Sequence, residues 1–168
     1  MSRLAGTSEG SLSLLARDLL NTHQRITMVG LSANPARPSY RAAVHMLAYG
    51  YDVVPVNPNV DEVLGRTAYA TLADVPGGLG IVDVFRRVAD VPGVVEEALA
   101  AGAEAIWVQL GLVSPEARAM AAAAGVPYIE DRCIKMEHCR WFGGLNWVGL
   151  STGVVSSRRE EVRRAGRS

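Results

Sequence analysis

Beyond residue 25 the chain alternates short apolar runs with helical patterns, and no other feature limits its possible folds so tightly. The apolar runs fall at 26–29, 52–56, 81–85, 105–109 and 127–130. They are continuous rather than every-other-residue, as expected of strands covered on both faces. Between them, residues 39–49, 91–101 and 114–124 read as helices, closed by Gly50, Gly102 and Gly125. Such an order calls for parallel strands joined by right-handed helical crossovers. The fold class is therefore α/β: a doubly wound, mainly parallel sheet with helices on both faces, in a single domain. Residues 63–75 fit less cleanly, with a short strand near 67–70 and then a turn of helix. Leu12, Leu14, Leu15, Leu19 and Leu20 mark an apolar stripe that predicts a helix over 11–22, packed on the domain edge.

The length of 168 residues suits one domain of this class, and neither an internal repeat nor an interdomain linker is visible. Residues 1–10 read as a flexible start, 11–142 as the folded unit and 143–168 as a partly disordered extension. Its end, "SSRREEVRRAGRS", mixes charges without an apolar face. A formal net charge of zero argues against nucleic acid or a membrane surface as partner. No apolar run nears the roughly 18 residues of a membrane span. The polar start lacks a secretory pattern, and two cysteines, Cys133 and Cys139, suit a reducing cytoplasm.

In an open α/β sheet, ligands sit beyond the carboxyl ends of the strands, where strand order reverses. Residues 30–38 lie there, from Gly30 to the start of a helix whose first amides favour anions. Ser39 is the expected N-cap, with a hydroxyl also able to hold a phosphate. The NAD fingerprint is broken: Ser32 and Pro35 stand where its second and third glycines belong. The second strand ends at Asn57 rather than at the carboxylate that binds ribose hydroxyls. A carboxylate would repel a ligand bearing a ribose phosphate, as NADP and coenzyme A do, and Arg37 and Arg41 are candidates to bind phosphate.

Five stretches then appear in order: "VGLSANPARPSY", "GYDVVPVNPN", "DVFR", "WVQLG" and "DRCIKMEH". Together they resemble the small stand-alone CoA-binding proteins, which share the nucleotide-binding domain at the start of the succinyl-CoA synthetase α subunit. The resemblance spans about residues 24–140 and implies a Rossmann-like fold with coenzyme A or an acyl-CoA as ligand. It further implies that Ser32, Ala33, Asn34 and Arg37 hold phosphates, with Ser39 and Tyr40 opening the helix. Asn57, Pro58 and Asn59 would lie against the adenosine end, and Val84, Phe85 and Arg86 beside the pantetheine arm. The synthetases place a lysine in the turn after strand two. Here Asn59 and Val60 stand nearest, so arginine would have to replace it.

Chemistry beyond binding is not evident. His23 and His45 have no visible partner for a nucleophilic triad, and there is no Walker loop or paired-carboxylate motif. Cys133, Glu137, His138 and Cys139 cluster in sequence, but their spacing fits no standard zinc pattern. No metal and no catalytic residue is expected. Cys133 falls at the ligand-bearing end of the sheet, as a packed thiol or one able to exchange with the CoA thiol. Glu130, Asp131 and Arg132 suit an ion pair or a helix cap. Trp141 and Trp147, among glycines, would cover the domain or join a homodimer contact. The expected function is non-catalytic binding of CoA or acyl-CoA. An NAD(P)-dependent oxidoreductase and a scaffold with vestigial ligand binding are the alternatives.

Overall fold

A computed structural model describes residues 8–143. Five parallel strands form the sheet: β1 (Arg25–Val29), β2 (Asp52–Val56), β5 (Ile81–Val84), β6 (Ala105–Val108) and β7 (Tyr128–Ile129). Between β2 and β5 lies a small antiparallel ribbon of β3 (Glu62–Val63) and β4 (Arg66–Thr67). The sheet order is β2-β1-β5-β6-β7. The chain thus moves outward from β1 to β2, then returns past β1 to lay down β5. Strand order reverses between β1 and β5, which opens a crevice above their carboxyl ends. The single α/β domain expected from the alternation, with the Rossmann-like fold that the resemblance implies, is what the described residues form.

Because successive strand side chains point to opposite faces, each apolar run feeds two layers. Ile26, Met28, Val53, Ile81, Ala105 and Trp107 face a layer made by α1 (Glu9–Thr22), α2 (Pro38–Ala48) and α5 (Ile134–Phe142). Val29, Val56, Val82, Val84, Ile106 and Val108 face α3 (Val91–Ala100) and α4 (Pro115–Ala124). Trp107 is wholly buried, and its indole N–H donates to the Arg132 carbonyl at 2.8 Å. Burying a side chain of this kind contributes roughly 1.5–3 kcal/mol.

Several boundaries differ from the sequence reading, each for a local reason. Helix α1 starts at Glu9 rather than at residue 11, because the Ser8 hydroxyl caps it by accepting from the Ser11 amide. Helix α2 starts at Pro38 with Arg37 as N-cap, not at Ser39. Proline at the first helical position has its φ already set and needs no amide partner. The strand near 67–70 is the β3–β4 ribbon plus a bridge from Tyr69 to Val56, followed by a short 3-10 turn at Leu72–Asp74. The ribbon turns at Leu64 and Gly65, both at positive φ. The last strand shrinks to Tyr128–Ile129 as Glu130 bends away to accept from the Ser114 amide at the start of α4. Trp141 covers the domain's own α1, donating to the Ser13 hydroxyl at 3.1 Å with Arg17 over its ring. The extension beyond Gly143, with Trp147, lies outside the described residues.

Candidate functional site

The crevice is built outward from Gly30. The amide of Gly30 donates to the Val56 carbonyl at 2.8 Å, while the Phe85 amide donates to the Val29 carbonyl at 2.9 Å. These bonds stitch the ends of β2, β1 and β5 together. Gly30 sits at φ +83°, and a Cβ there would run into the carbonyl oxygen of Phe85. Only glycine lets the first loop and the end of β5 approach so closely.

The loop then folds on itself. The buried Ser39 hydroxyl accepts from the Ser32 amide at 3.1 Å, bracing the loop against the first turn of α2. Ser32 accepts from the Asn34 amide, and Asn34 Oδ1 from the Ala36 amide at 2.9 Å. Asn57 joins this loop to the turn after β2: its Nδ2 donates to the Leu31 carbonyl at 3.0 Å and its Oδ1 accepts from the Asn59 amide. The amides of Ser39 and Tyr40, in the first helical turn, have no acceptor within the helix and face the direction an anion would come from.

The resulting crevice has a volume of about 630 Å³, inside the roughly 300–1,000 Å³ range of small-molecule sites. One half, from the first loop and the start of α2, is lined by Gly30, Ser32, Arg37, Pro38 and Ser39. The other half is largely apolar, with Phe85, Leu110, Leu112 and Met136, and holds Arg86, Gln109 and Cys133 as polar or reactive groups. Gln109 closes β6 and is nearly buried, its Nε2 donating to Asp83 Oδ1 at 2.5 Å. Asp83 is wholly buried inside β5, and burial pushes its carboxyl up to about 8, with the Gln109 bond opposing only part of the rise.

Of the residues singled out from the sequence, the crevice brings together Gly30, Ser32, Arg37, Ser39, Phe85 and Arg86. Ala33 and Asn34 stand exposed on the outer side of the loop, and Pro58 and Asn59 are exposed beyond Asn57. Tyr40 packs partly buried against the α1–α2–α5 layer. Val84 is wholly buried toward α3 and α4, because strand alternation turns it away from the crevice that Phe85 enters. The sequence reading missed Gln109, Leu110, Leu112, Met136 and the Asp83 beneath them. The signal was present: Gln109 and Leu110 end an apolar strand in the same way as Gly30.

The cysteine-histidine cluster does not converge. Cys133 lines the crevice, whereas Glu137 points inward to the Ser13 hydroxyl at 3.0 Å and to Arg132. His138 Nδ1 meets His45 Nε2 at 3.0 Å across the α2–α5 contact, with Cys139 Sγ 3.7 Å from His45 Nε2. Among the described residues no group of three His, Cys, Asp or Glu side chains is placed to hold a metal ion. Glu130 ties down the opening of α4 through the Ser114 amide and the Arg118 guanidinium, while Asp131 accepts from the Gly111 amide at 2.7 Å. No helix among the described residues is long and apolar enough to cross a membrane.

A crevice at the point of strand reversal, a braced loop leading into a helix start and a β2 followed by an amide rather than a carboxylate mark a Rossmann-like α/β domain with a candidate small-molecule site. The chain belongs to the CoA binding domain family, whose model matches residues 24–139. It is similar to the uncharacterized protein YneT of Bacillus subtilis (strain 168), 43% identical over 122 residues that cover 73% of this chain and 90% of that one. Its fold is similar to that of a hypothetical protein from Pyrococcus horikoshii OT3, with a TM-score of 0.74, 33% identity and coverage of 83% and 96% of the two chains. Cell-free ID.343 from Thermus thermophilus is likewise similar, with a TM-score of 0.74, 32% identity and coverage of 77% and 98%.

Proposed function

We propose that the protein binds coenzyme A or an acyl-CoA in this crevice and holds it without transforming it. The family supports a CoA-related ligand, and the residues present suit the group. CoA needs a cradle for phosphates, room for adenosine and a groove for a long, weakly polar arm. The braced loop with Ser32, Arg37 and the first amides of α2 supplies the cradle, with Arg86 within reach across the crevice. The turn at Asn57, Pro58 and Asn59 is where adenosine would lie, and the apolar half beside Phe85 would take the arm. When bound, the ligand supplies a thiol or thioester. The single observation that carries this reading is one crevice, polar at the β1 loop and apolar past β5, in a domain whose second strand ends without a carboxylate. A binding role alone is favoured by the positions of the histidines. His45 and His138 meet each other between α2 and α5, and His23 pairs with Glu104 at 3.1 Å.

A thermal-shift panel of CoA, acetyl-CoA, NAD, NADP and ATP tests it. A ligand at 100 times its Kd stabilises the folded state by about 2.7 kcal/mol, so a clear rise with CoA species alone is the expected result. A response to nicotinamide nucleotides would favour an oxidoreductase-type site, and silence throughout would favour a scaffold that has lost its ligand. Arg37→Ala should weaken CoA binding about three- to tenfold at low salt and less at high salt, since salt screens an exposed charge. Titration calorimetry at two salt concentrations checks this, and an unchanged affinity would remove Arg37 from the phosphate contacts.

A further inference from the structure

Asp83 Oδ2 is buried with no hydrogen-bond partner among the described residues. A carboxyl carried inside an apolar strand with one oxygen unsatisfied costs free energy that valine or isoleucine would not. Its one bond goes to Gln109, whose side chain is nearly buried yet lines the crevice. One Nε2 hydrogen is committed to Asp83, which sets the orientation of the carboxamide and leaves Oε1 as its acceptor. That oxygen is not among the fully buried unpaired atoms, and Gln109 is one of the residues that line the crevice. We propose that Asp83 fixes the Gln109 carboxamide so that Oε1 forms an acceptor on the crevice wall, which selects ligands whose arm carries an amide N–H.

Position supports this choice of donor. Strands in a sheet lie about 4.8 Å apart, and β5 separates β1 from β6. Gln109 therefore stands about 10 Å along the sheet from the phosphate loop. The pantetheine arm of CoA has its amides at a comparable remove from the pyrophosphate, and an amide N–H is a far better donor than the S–H at the tip. Phe85, Leu110 and Met136 around it offer no competing acceptor side chain. ADP-like ligands end before this point. Asp83 is thus a positioning residue, and Gln109 the one that reads the arm. The high proton affinity that burial gives Asp83 is consistent with a neutral pair, which needs no counter-charge.

This inference rests on the CoA reading above, and the test separates the two. Affinities are measured by calorimetry for CoA and for its phosphorylated adenosine diphosphate head lacking the pantetheine arm. The wild type should bind CoA more tightly than the head. Gln109→Leu keeps the side chain's bulk but removes the acceptor. It should weaken CoA by about five- to tenfold, the worth of one such hydrogen bond, and leave affinity for the head within about twofold. Asp83→Leu should show the same selective loss and Asp83→Asn should restore CoA affinity, because asparagine keeps an oxygen facing Gln109. A general loss of fold would remove both ligands alike and is visible in the melting curve. Should Asp83→Leu not fold, Gln109→Leu decides. Wild-type binding to CoA that is no tighter than to the head, or a Gln109→Leu variant that binds CoA like wild type, overturns the inference alone. Binding of neither ligand by the wild type overturns the CoA reading itself.

Discussion

At the scale of single residues, the crevice depends on one glycine and one buried acid. Gly30→Ala puts a methyl group against the Phe85 carbonyl at a backbone angle that side chains resist, so β1 and β5 must part at the mouth of the crevice. The variant should lose about 1–3 kcal/mol of stability, read as a lower urea midpoint. Asp83 gives a second prediction, with its sign fixed by linkage. Its folded pKa of about 8 lies above the ordinary 3.8, so its contribution to stability is full below about pH 4 and is lost as pH rises toward 8. The urea midpoint of the wild type relative to Asp83→Asn should therefore fall across that window, and a flat difference would show that the acid is not confined as described. Gly30, Arg37 and Phe85 were legible in the sequence because a general rule puts ligands beyond strand ends. Asp83 was not, because an acid within an apolar run reads as an interruption until strand register shows which way it faces. Val84 illustrates the same limit, since its neighbour's side chain reaches the crevice while its own enters the core.

At the scale of elements, the helices were read well and the small ribbon poorly. Ser114 caps α4 and Gly125 closes it in the left-handed region, the signals its sequence carries. The β3–β4 turn needs positive φ at two residues, a geometry usually marked by Asn-Gly, and here Leu64 occupies the first place. No local pattern could announce it. The α2–α5 contact was equally hidden, because it joins residues far apart in sequence. His45 and His138 meet there among Tyr49, Tyr51 and Phe142, with Lys135 and Cys139 close by. Burial first, and the Lys135 charge second, hold His45 below the ordinary 6.5. A histidine depressed in this way stabilises the folded state above that pH and ceases to do so as pH falls through its folded pKa. Melting temperature should drop on acidification below 6.5, and His45→Gln should lessen the drop. Melts recorded on both sides of that pH provide the check.

At the scale of the whole molecule, the alternation of apolar runs and helices was enough to specify the layers, because each run fills two cores at once. Strand order was not legible, since the same alternation permits other sequences of neighbours, and the order alone decides that the loops after β1, β5 and β6 converge. The site therefore draws on residues from Gly30 to Met136 and exists only once the entire sheet has closed. The opposite rim of the sheet has a different task. There Gly50, Gly102 and Gly125 turn the chain from each helix into the next strand, exposed and far from the crevice. A short flexible insertion after Gly102 should lower the melting temperature modestly and leave ligand affinity unchanged, which calorimetry on the inserted variant would check. Since one edge carries the candidate site and the other only reverses the chain, that second edge is a natural anchorage for a reporter dye or a fused protein, a handle by which the domain could be converted into a sensor with the crevice untouched.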